Sequence, residues 1–363
     1  MMLIYFIFLF LVLRFTVTLF NFISNPKLSS APRSYDHLVS ILIPARNEEH
    51  TILNLLESIR DQEYRNYEVI ILDDHSTDQT FALCQEFCNS NQKFRVISGK
   101  SLPAGWLGKN YACYQLAEHS RGDLLMFLDS DVSIEDGLIN NAVHRMKFYR
   151  LDLLSLFPNQ IMGSLGEKLI VPLMHFTLLN LLPLRLVRLS KSPAFSAASG
   201  QFMMFAAGSY KEGQWHSLVK NKVVEDIEIM KLVKASGLRG ETLLANGYIF
   251  CRMYRNFAEA FRGFSKNHFA GFNNNVVGLF IYLLLVILGP LAIAYILSAE
   301  LLSFALSLII LSRVMISLMS GQNVWLNIIL HPLQMAAMLF IAVISVKKYF
   351  TNTVVWKGRI IKN

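Results

Sequence analysis

The stretch Leu124-Leu125-Met126-Phe127-Leu128-Asp129-Ser130-Asp131 is a short apolar run that ends in two carboxylates one residue apart. A run this short, closed at both ends by polar groups, reads as a buried strand, because a helix of comparable burial needs roughly twice the length. The carboxylates then stand where the strand emerges, and in open α/β sheets ligands bind beyond the carboxyl ends of the strands. An Asp-x-Asp pair in that position presents two hard oxygen donors, which suits Mg²⁺ or Mn²⁺ carrying a diphosphate. A calcium loop of the EF-hand kind would need Gly where this chain has Ile134; a plain solvated turn is the other reading of the stretch taken alone.

On either side of it, strand and helix patterns alternate. His37–Pro44, Tyr67–Leu72 and Phe94–Ser98 read as strands, and Thr51–Arg60, Thr77–Asn89, Tyr111–His119 and Asp136–Tyr149 as helices. Such alternation implies a mostly parallel sheet with helices on its faces. The first strand runs into Pro44-Ala45-Arg46-Asn47-Glu48-Glu49 and the second into Asp73-Asp74-His75-Ser76-Thr77-Asp78. Acids at such tips can accept hydrogen bonds from a base edge or ribose hydroxyls, while Ser76 or Thr77 can cap the next helix. No dinucleotide fingerprint, Walker loop, HExxH, GxSxG or internal repeat is present.

The chain has 363 residues, 53% of them hydrophobic, and a mean hydropathy of +0.39, too apolar for a wholly soluble protein. Met2–Ile23 has about the ~20 residues that a spanning helix needs. It lacks both a basic start and a small-x-small cleavage site, so it reads as an uncleaved anchor. Val276–Ser298, Leu301–Met319 and Asn327–Val346 are further candidates. Nearly all of the 34 Lys and Arg residues lie between Lys27 and Lys266 or in the tail Lys347–Lys362, which places both regions on the cytoplasmic side by the positive-inside rule. Three spans after residue 275 would put the tail outside, so one of the three, the segment with His331-Pro332, is expected to be interfacial or re-entrant. The net charge of +8 is spread over loops and around apolar segments, which fits an anionic lipid surface better than nucleic acid. Cys84 and Cys88 stand four apart, but no second Cys/His pair completes a metal site, so these, Cys113 and Cys251 read as buried thiols in a reducing compartment.

The ordered series IPARNEE, VIILDDHSTDQT, GWLGKN, FLDSDV and VVEDIEI resembles the membrane-anchored inverting glycosyltransferases of family 2, which have the GT-A fold. The resemblance covers roughly Ser40 to Asn267 and extends to the tail Trp356-Lys357-Gly358-Arg359; the subgroup most resembled is that of the carotenoid-acid and hopanoid-associated enzymes. It implies that Pro44, Arg46 and Glu48 line the nucleotide pocket, that Asp74 contacts the uracil of a UDP-sugar, and that Lys109 lies beside the nucleotide, where its ammonium clamps a diphosphate as a point charge. It makes Asp129 and Asp131 the DxD motif, with Asp131 the stronger metal ligand, and Asp226 the general base. His75 departs from the small residue usual at its position. The base reading has a local rationale, since an acid in the first turn of the helix that opens at Val224-Glu225-Asp226 is favoured in its ionised form by the helix dipole. A helix cap is the structural alternative.

Gly163–Leu189, apolar but interrupted by Pro172, His175, Pro183, Arg185 and Arg188, reads as an interfacial amphipathic segment, with an ordinary core helix pair as the alternative. Ala198–Phe205 reads as a strand entered from a turn. By the resemblance, the loop Gly213-Gln214-Trp215-His216 faces the acceptor, making Trp215 and His216 candidate acceptor contacts. Arg252 and Arg255 precede the helix Asn256–His268; they are candidates for diphosphate or lipid-headgroup contact. The QxxRW signature of the processive members lacks its Gln and Trp here, which favours transfer of a single sugar.

The expected organisation is α/β: an anchor over 1–24, a Rossmann-like, mostly parallel mixed-sheet GT-A domain over 36–270, membrane helices over 276–346 and a basic cytoplasmic tail over 347–363. The expected activity is Mg²⁺- or Mn²⁺-dependent transfer from a UDP-sugar to a lipid at the cytoplasmic face of the cell membrane, with a carotenoid acid as the specific candidate. Polyprenyl phosphate, a hopanoid or a glycerolipid are alternative acceptors, and a catalytically dead GT-A scaffold is the non-enzymatic alternative.

Overall fold

A computed structural model describes residues 2–296, 298–351, 354–356 and 359–361; Lys357 and Gly358 of the tail motif lie outside the described residues. The chain divides into two units, one of Pro26–Asn159 and Leu184–Arg252, the other of Met1–Asn25, Gln160–Pro183 and Met253–Asn363.

In chain order the elements are α1 (Met2–Ser24), β1 (Val39–Ala45), α2 (Ile52–Arg60), β2 (Tyr67–Asp73), α3 (Thr80–Asn89), β3 (Phe94–Ser98), α4 (Gly108–Glu118), β4 (Leu124–Leu128), β5 (Val132–Ile134), α5 (Leu138–Tyr149), β6 (Leu153–Phe157) and β7 (Asn159–Gln160). There follow α6 (Leu165–Ile170), α7 (Pro172–Leu181), α8 (Arg185–Leu189), β8 (Phe202–Ala206), α9 (Ala207–Gly213), α10 (Trp215–Leu218), α11 (Glu225–Ala235), β9 (Gly240–Leu244) and β10 (Ile249–Cys251). The C-terminal part holds α12 (Phe257–Gly271), α13 (Val276–Leu283), a π-turn (Leu284–Leu288), α14 (Gly289–Ile296), α15 (Ala299–Ser320), α16 (Val324–Ile329), α17 (His331–Phe350) and a short ribbon of Val354–Trp356 with Arg359–Ile361.

The first unit is built on a seven-stranded sheet in the order β3-β2-β1-β4-β8-β6-β9. β1, β2, β3 and β4 pair in parallel, β8 runs antiparallel to both its neighbours, and β6 and β9 are parallel to each other. Every residue of β4 is buried, as a strand covered on both faces requires. The helices supply the cover: α2 buries Ile52, Leu55, Leu56 and Ile59, the stripe a 3.6-residue period produces. The strand order reverses between β1 and β4, which opens a crevice at their carboxyl ends. A separate antiparallel pair, β5 with β10, matches Val132 to Cys251 just beyond the β4 tip.

The sequence reading left β6 and β9 unassigned, although LLSLF and GETLL are both wholly buried. It also started the strand at Ala198, whereas β8 begins at Phe202. Residues 198–201 form a turn instead, with Ser199 N–H donating to Ser155 Oγ at 2.8 Å and Ser155 Oγ–H to Ser199 O at 3.2 Å.

The second unit is helical. Among the described residues, four of its helices are long and apolar enough to cross a membrane: Ile4–Ser24, Val276–Ile293, Ala299–Ser320 and His331–Phe350. Ile7 and Leu11 of α1 pack with Ile293, Ala305 and Leu308 in one buried cluster. Pro290 has no N–H and its ring would strike the carbonyl four residues back, which accounts for the π-turn immediately before it. Pro332 falls in the first turn of α17, where a missing N–H is harmless, so the segment continues as a helix of 20 residues. Within Gly163–Leu189 three short helices form, and α7 is largely buried: Leu173, His175, Phe176, Leu179 and Asn180 are all covered, and Asn21 Nδ2 donates to Leu179 O at 2.9 Å. Its interior is thus packed within the bundle and not displayed on a surface.

Candidate active site

The crevice is assembled from loops that follow the strands. Asn47 and His75 both adopt a left-handed backbone, with φ of 54° and 55°. The two loops are laced together: Asn47 N–H donates to Ser76 Oγ at 2.9 Å, Glu48 N–H to Thr80 Oγ1 at 2.7 Å, and Thr77 N–H to Asn47 Oδ1 at 2.8 Å. The left-handed turn at His75 explains why a small residue suits this position, since glycine reaches that conformation without steric cost.

Arg46 donates from Nη1 to the Asp74 carbonyl and lies 3.8 Å from its carboxylate, so two of the expected nucleotide contacts are mutually positioned at the tips of β1 and β2. Pro44 lies in β1 opposite Leu72. Glu48 is turned another way: its Oε2 accepts the Thr51 hydroxyl at 2.9 Å, bracing the entry to α2.

Lys109 stands in the first turn of α4. Its Nζ contacts Asp129 at 2.7 Å and 3.0 Å and Glu225 at 3.3 Å. Burial pushes the ammonium down, and Asp129 and then Glu225 more than reverse this, holding it well above its ordinary range. Its neighbour Asn110, fully buried, donates to the carbonyls of Val219, Lys220 and Lys222 at 2.9, 3.3 and 3.1 Å. The Lys-Asn pair therefore does two jobs: Lys109 meets the acids, and Asn110 ties down the segment that delivers Glu225 and Asp226.

Asp226 accepts Gly200 N–H on Oδ2 and Ile227 N–H on Oδ1, both at 2.8 Å. Gly200 is where these groups converge: a Cβ there would lie 2.9 Å from Lys109 Nζ, 3.2 Å from Glu225 Oε1 and 3.7 Å from Asp226 Oδ2. The helix terminus was expected to keep Asp226 firmly ionised. Instead burial, with Glu225 adding to it, raises its carboxyl to about 7, against the opposing pull of Ile227 N–H, Lys109 and Gly200 N–H. Loss of hydration outweighs the helix dipole because the dipole supplies only partial charges.

Asp131 lies beside Cys251 of β10, with whose thiol it shares a hydrogen bond; that thiol also accepts Gln201 Nε2 at 2.8 Å. Burial, then Asp131 and Asp129, hold the Cys251 thiol well above its usual range, so it stays a neutral donor. All four cysteines are free thiols, and no group of three or more His, Cys, Asp or Glu side chains forms a metal cluster among the described residues. Asp129 and Asp131 are nonetheless a suitable donor set for Mg²⁺ or Mn²⁺, which commonly take one or two carboxylates and fill the remaining positions with water and substrate phosphate.

Trp215 and His216, expected at the acceptor, are buried at 3% and 2% exposure. The segment forms a helical turn, and His216 lies 4.9 Å from the Phe127 ring, centroid to centroid, and shares a 2.6 Å hydrogen bond with the Tyr210 hydroxyl. Burial, and then Lys109, push the imidazole down to about 3, so it stays neutral. His216 thus packs on Phe127 of β4, the strand that ends in the DxD pair, and this burial removes hydrocarbon from water. Arg252 is exposed at the end of β10 in the sheet unit; Arg255, also exposed, belongs to the helical unit and its N–H donates to Glu259 at 2.9 Å. The sequence gives no site role to Gly200, Glu225, Asn110, Gln201 or Cys251; Glu225, Asn110 and Cys251 adjoin residues that have one, while nothing local marks Gly200 and Gln201.

Residues 40–212 match the family Glycosyl transferase family 2. The chain is 28% identical over 234 residues to 4,4'-diaponeurosporenoate glycosyltransferase of Staphylococcus haemolyticus, an alignment covering 63% of this chain and 60% of the relative. Over 96 residues it is 33% identical to UDP-Glc:alpha-D-GlcNAc-diphosphoundecaprenol beta-1,3-glucosyltransferase WfgD of Escherichia coli, covering 26% of this chain and 36% of that one. The chain thus spans under two thirds of the length of either relative. Among solved structures, the mannosyltransferase PcManGT from Pyrobaculum calidifontis, in complex with GDP-Man and Mn2+, superposes with a TM-score of 0.59 at 14% identity, covering 95% of this chain and 99% of that one, a likeness of fold. The mixed sheet and acid-bearing strand tips make a fold of the GT-A kind, within which residues 40–212 match Glycosyl transferase family 2.

Proposed function

We propose that this glycosyltransferase moves one sugar, with inversion, from a UDP-sugar to a lipid acceptor at the cytoplasmic face of the cell membrane. The observation that carries this reading is the convergence at Gly200, where Lys109 joins the DxD residue Asp129 to Glu225 and the Gly200 N–H holds Asp226. A nucleotide side and a base side meet at one point.

Arg46 and Asp74 hold the nucleoside, the Asp74 carboxylate accepting from the base. Lys109 releases part of its contact with Asp129 to meet the diphosphate, and its fixed charge steadies the negative charge that grows there as the glycosidic bond breaks. Asp131 and Asp129 would hold Mg²⁺ or Mn²⁺; when bound, the ion neutralises the departing diphosphate. Asp226 takes the acceptor proton while the acceptor oxygen attacks the anomeric carbon from the opposite side in a single displacement. A carboxyl near 7 is well matched to that role, because a base is most effective when its pKa lies close to the working pH. Arg252 and Arg255 are reserved for diphosphate or headgroup contact.

The similarity to an enzyme named for diaponeurosporenoate supports a carotenoid acid as acceptor, and the one named for a diphosphoundecaprenol substrate supports an isoprenoid phosphate. A carboxylic acid acceptor is already ionised near neutral pH, so the base has little to remove. Asp226→Asn should therefore lower kcat by ~10²–10⁴ with a hydroxyl acceptor and far less with a carboxylate. An equal, large loss with both would refute that division of labour.

The direct test is to incubate membranes containing the full chain with a panel of UDP-sugars, Mn²⁺ and total lipid extract, and to search by mass spectrometry for a lipid that gains one sugar. Such a product, absent with Asp131→Ala, supports the reaction and names the acceptor. Neither product nor UDP binding would overturn the reading in favour of a scaffold.

A further inference from the structure

The helical unit contains two arginines that its own sequence does not neutralise. Arg14 stands at the middle of the candidate span Ile4–Ser24, and Arg313 lies within Ala299–Ser320 at 2% exposure. Both guanidiniums sit over one aromatic ring, that of Phe176, at 5.1 Å and 4.6 Å from its centroid. Arg14 Nε donates to Asn180 Oδ1 at 3.1 Å and Arg313 Nε to Asn327 O at 3.2 Å. Each guanidinium has five N–H donors, so these bonds leave most of them unused. Arg313 Nη2 is buried without a hydrogen-bond partner among the described residues, as is His331 Nδ1, and His331 packs 5.7 Å from the same Phe176 ring.

Carboxylates do not meet this charge. The unit's sequence contains Glu167, Glu259 and Glu300. Glu167 closes the capping box of α6, Glu259 is bonded to Asn256 at the start of α12, and Glu300 is in the first turn of α15. At 1.5 Å per residue, Glu300 is roughly 20 Å along the helix from Arg313. Uncompensated arginine at membrane depth is unfavourable, and where it persists it marks a site that receives an anion or faces a water-filled path.

The surroundings decide which. Arg14, Asn180, Ser312 and His331 line one cleft with Phe176 and the apolar Leu11, Leu285 and Ile309. An aqueous path would be lined mainly by polar groups; here eight of the twelve lining residues are apolar. We infer that it binds a long-chain lipid through an oxyanion headgroup, carboxylate or phosphate, met in the cleft by Arg14 and attracted by the charge of Arg313 on the shared Phe176 ring, with the chain lying against the apolar wall. The bound lipid need not be the acceptor.

The test uses the full chain purified in neutral detergent, with oleate, dioleoyl phosphatidate, dioleoylglycerol and inorganic phosphate as probes and native mass spectrometry to read affinity. One of the two anionic lipids should bind at least ~10-fold more tightly than dioleoylglycerol, as charge-assisted hydrogen bonds require. The tighter of oleate and phosphatidate identifies the headgroup. Arg14→Gln and Arg313→Gln should abolish that preference, Arg313→Lys should keep part of it, and UDP binding should be unchanged in all three. Equal binding of the three lipids, or an intact preference in both Gln variants, overturns the inference; inorganic phosphate binding as tightly as phosphatidate overturns its lipid part. Loss of UDP binding in the unmutated chain would count against the proposed reaction alone.

Discussion

The acid cluster of the sheet unit and the arginine pair of the helical unit are opposite cases of one imbalance. At the crevice Asp129, Glu225 and Asp226 gather around Lys109, with Asp131 two residues from Asp129. In the bundle Arg14 and Arg313 share an aromatic ring and no carboxylate. A third place shows what the chain does when charge is structural. Glu241, 1% exposed, is gripped by Arg145 at 2.6 and 2.7 Å and by Arg188 at 2.8 Å, with Tyr149 4.1 Å from each guanidinium. There the counter-charge is built in. Burying a charge is unfavourable enough that a fold supplies the partner unless something from outside does. The acid cluster lacks cations and the bundle lacks anions, which is what a metal diphosphate and an anionic lipid would respectively provide.

This contrast can be broken in several ways. The largest effect should come from the crevice: Asp226→Asn with a hydroxyl acceptor should lose ~10²–10⁴ in kcat, and the unmutated enzyme's kcat/KM should fall about tenfold per pH unit below about 7 and level off above it. The linked stability has a definite sign. Between about 4 and about 7 the folded chain keeps a proton on Asp226 that the unfolded chain has released, so this residue's contribution to stability declines as pH rises through that window. Asp226→Asn should remove that slope, measured as midpoint denaturation temperature against pH.

Lys109→Met removes the ammonium that contacts Asp129 and Glu225 and should reduce transfer by ~10²-fold or more, the scale of losing one fixed charge that faces a developing anion. If Mn²⁺ fully restored the rate, Lys109 would be a mere spacer between carboxylates.

Glu241→Gln should destabilise the chain by ~3–5 kcal/mol in denaturant unfolding, the usual result of removing one partner from a buried ion pair. Arg14→Gln and Arg313→Gln, measured without lipid, should lose far less, since no ion pair is broken. Equal losses at the two places would show that the bundle arginines are structural after all.

The smallest effect is expected behind β4. His216→Phe replaces a neutral, buried ring with one of similar volume and should change stability by less than ~1.5 kcal/mol and leave the KM for acceptor unaltered, apart from the loss of the Tyr210 bond. A large rise in acceptor KM would return His216 to the acceptor site.

The alternation of strands and helices, the buried β4 and the placement of Asp129 and Asp131 at its tip were all legible in the sequence, because periodicity and short-range polarity are local properties of the chain. So were the apolar helices, for which length and composition suffice. Other features depend on residues far apart in the chain. β8 inserts antiparallel between β4 and β6, and the turn that leads into it is tied to Ser155 of β6. Lys109, Gly200 and Asp226 come together over more than a hundred positions, and the proton affinity of Asp226 follows from the burial that results. Trp215 and His216 were acceptor candidates by the resemblance alone; both are buried, His216 against the Phe127 ring. Arg14 and Arg313 read as interruptions of two apolar runs until Phe176 brought them to a common ring. Local pattern determines which elements form; burial, charge balance and desolvation are sums over everything packed nearby, so only the tertiary structure decides them.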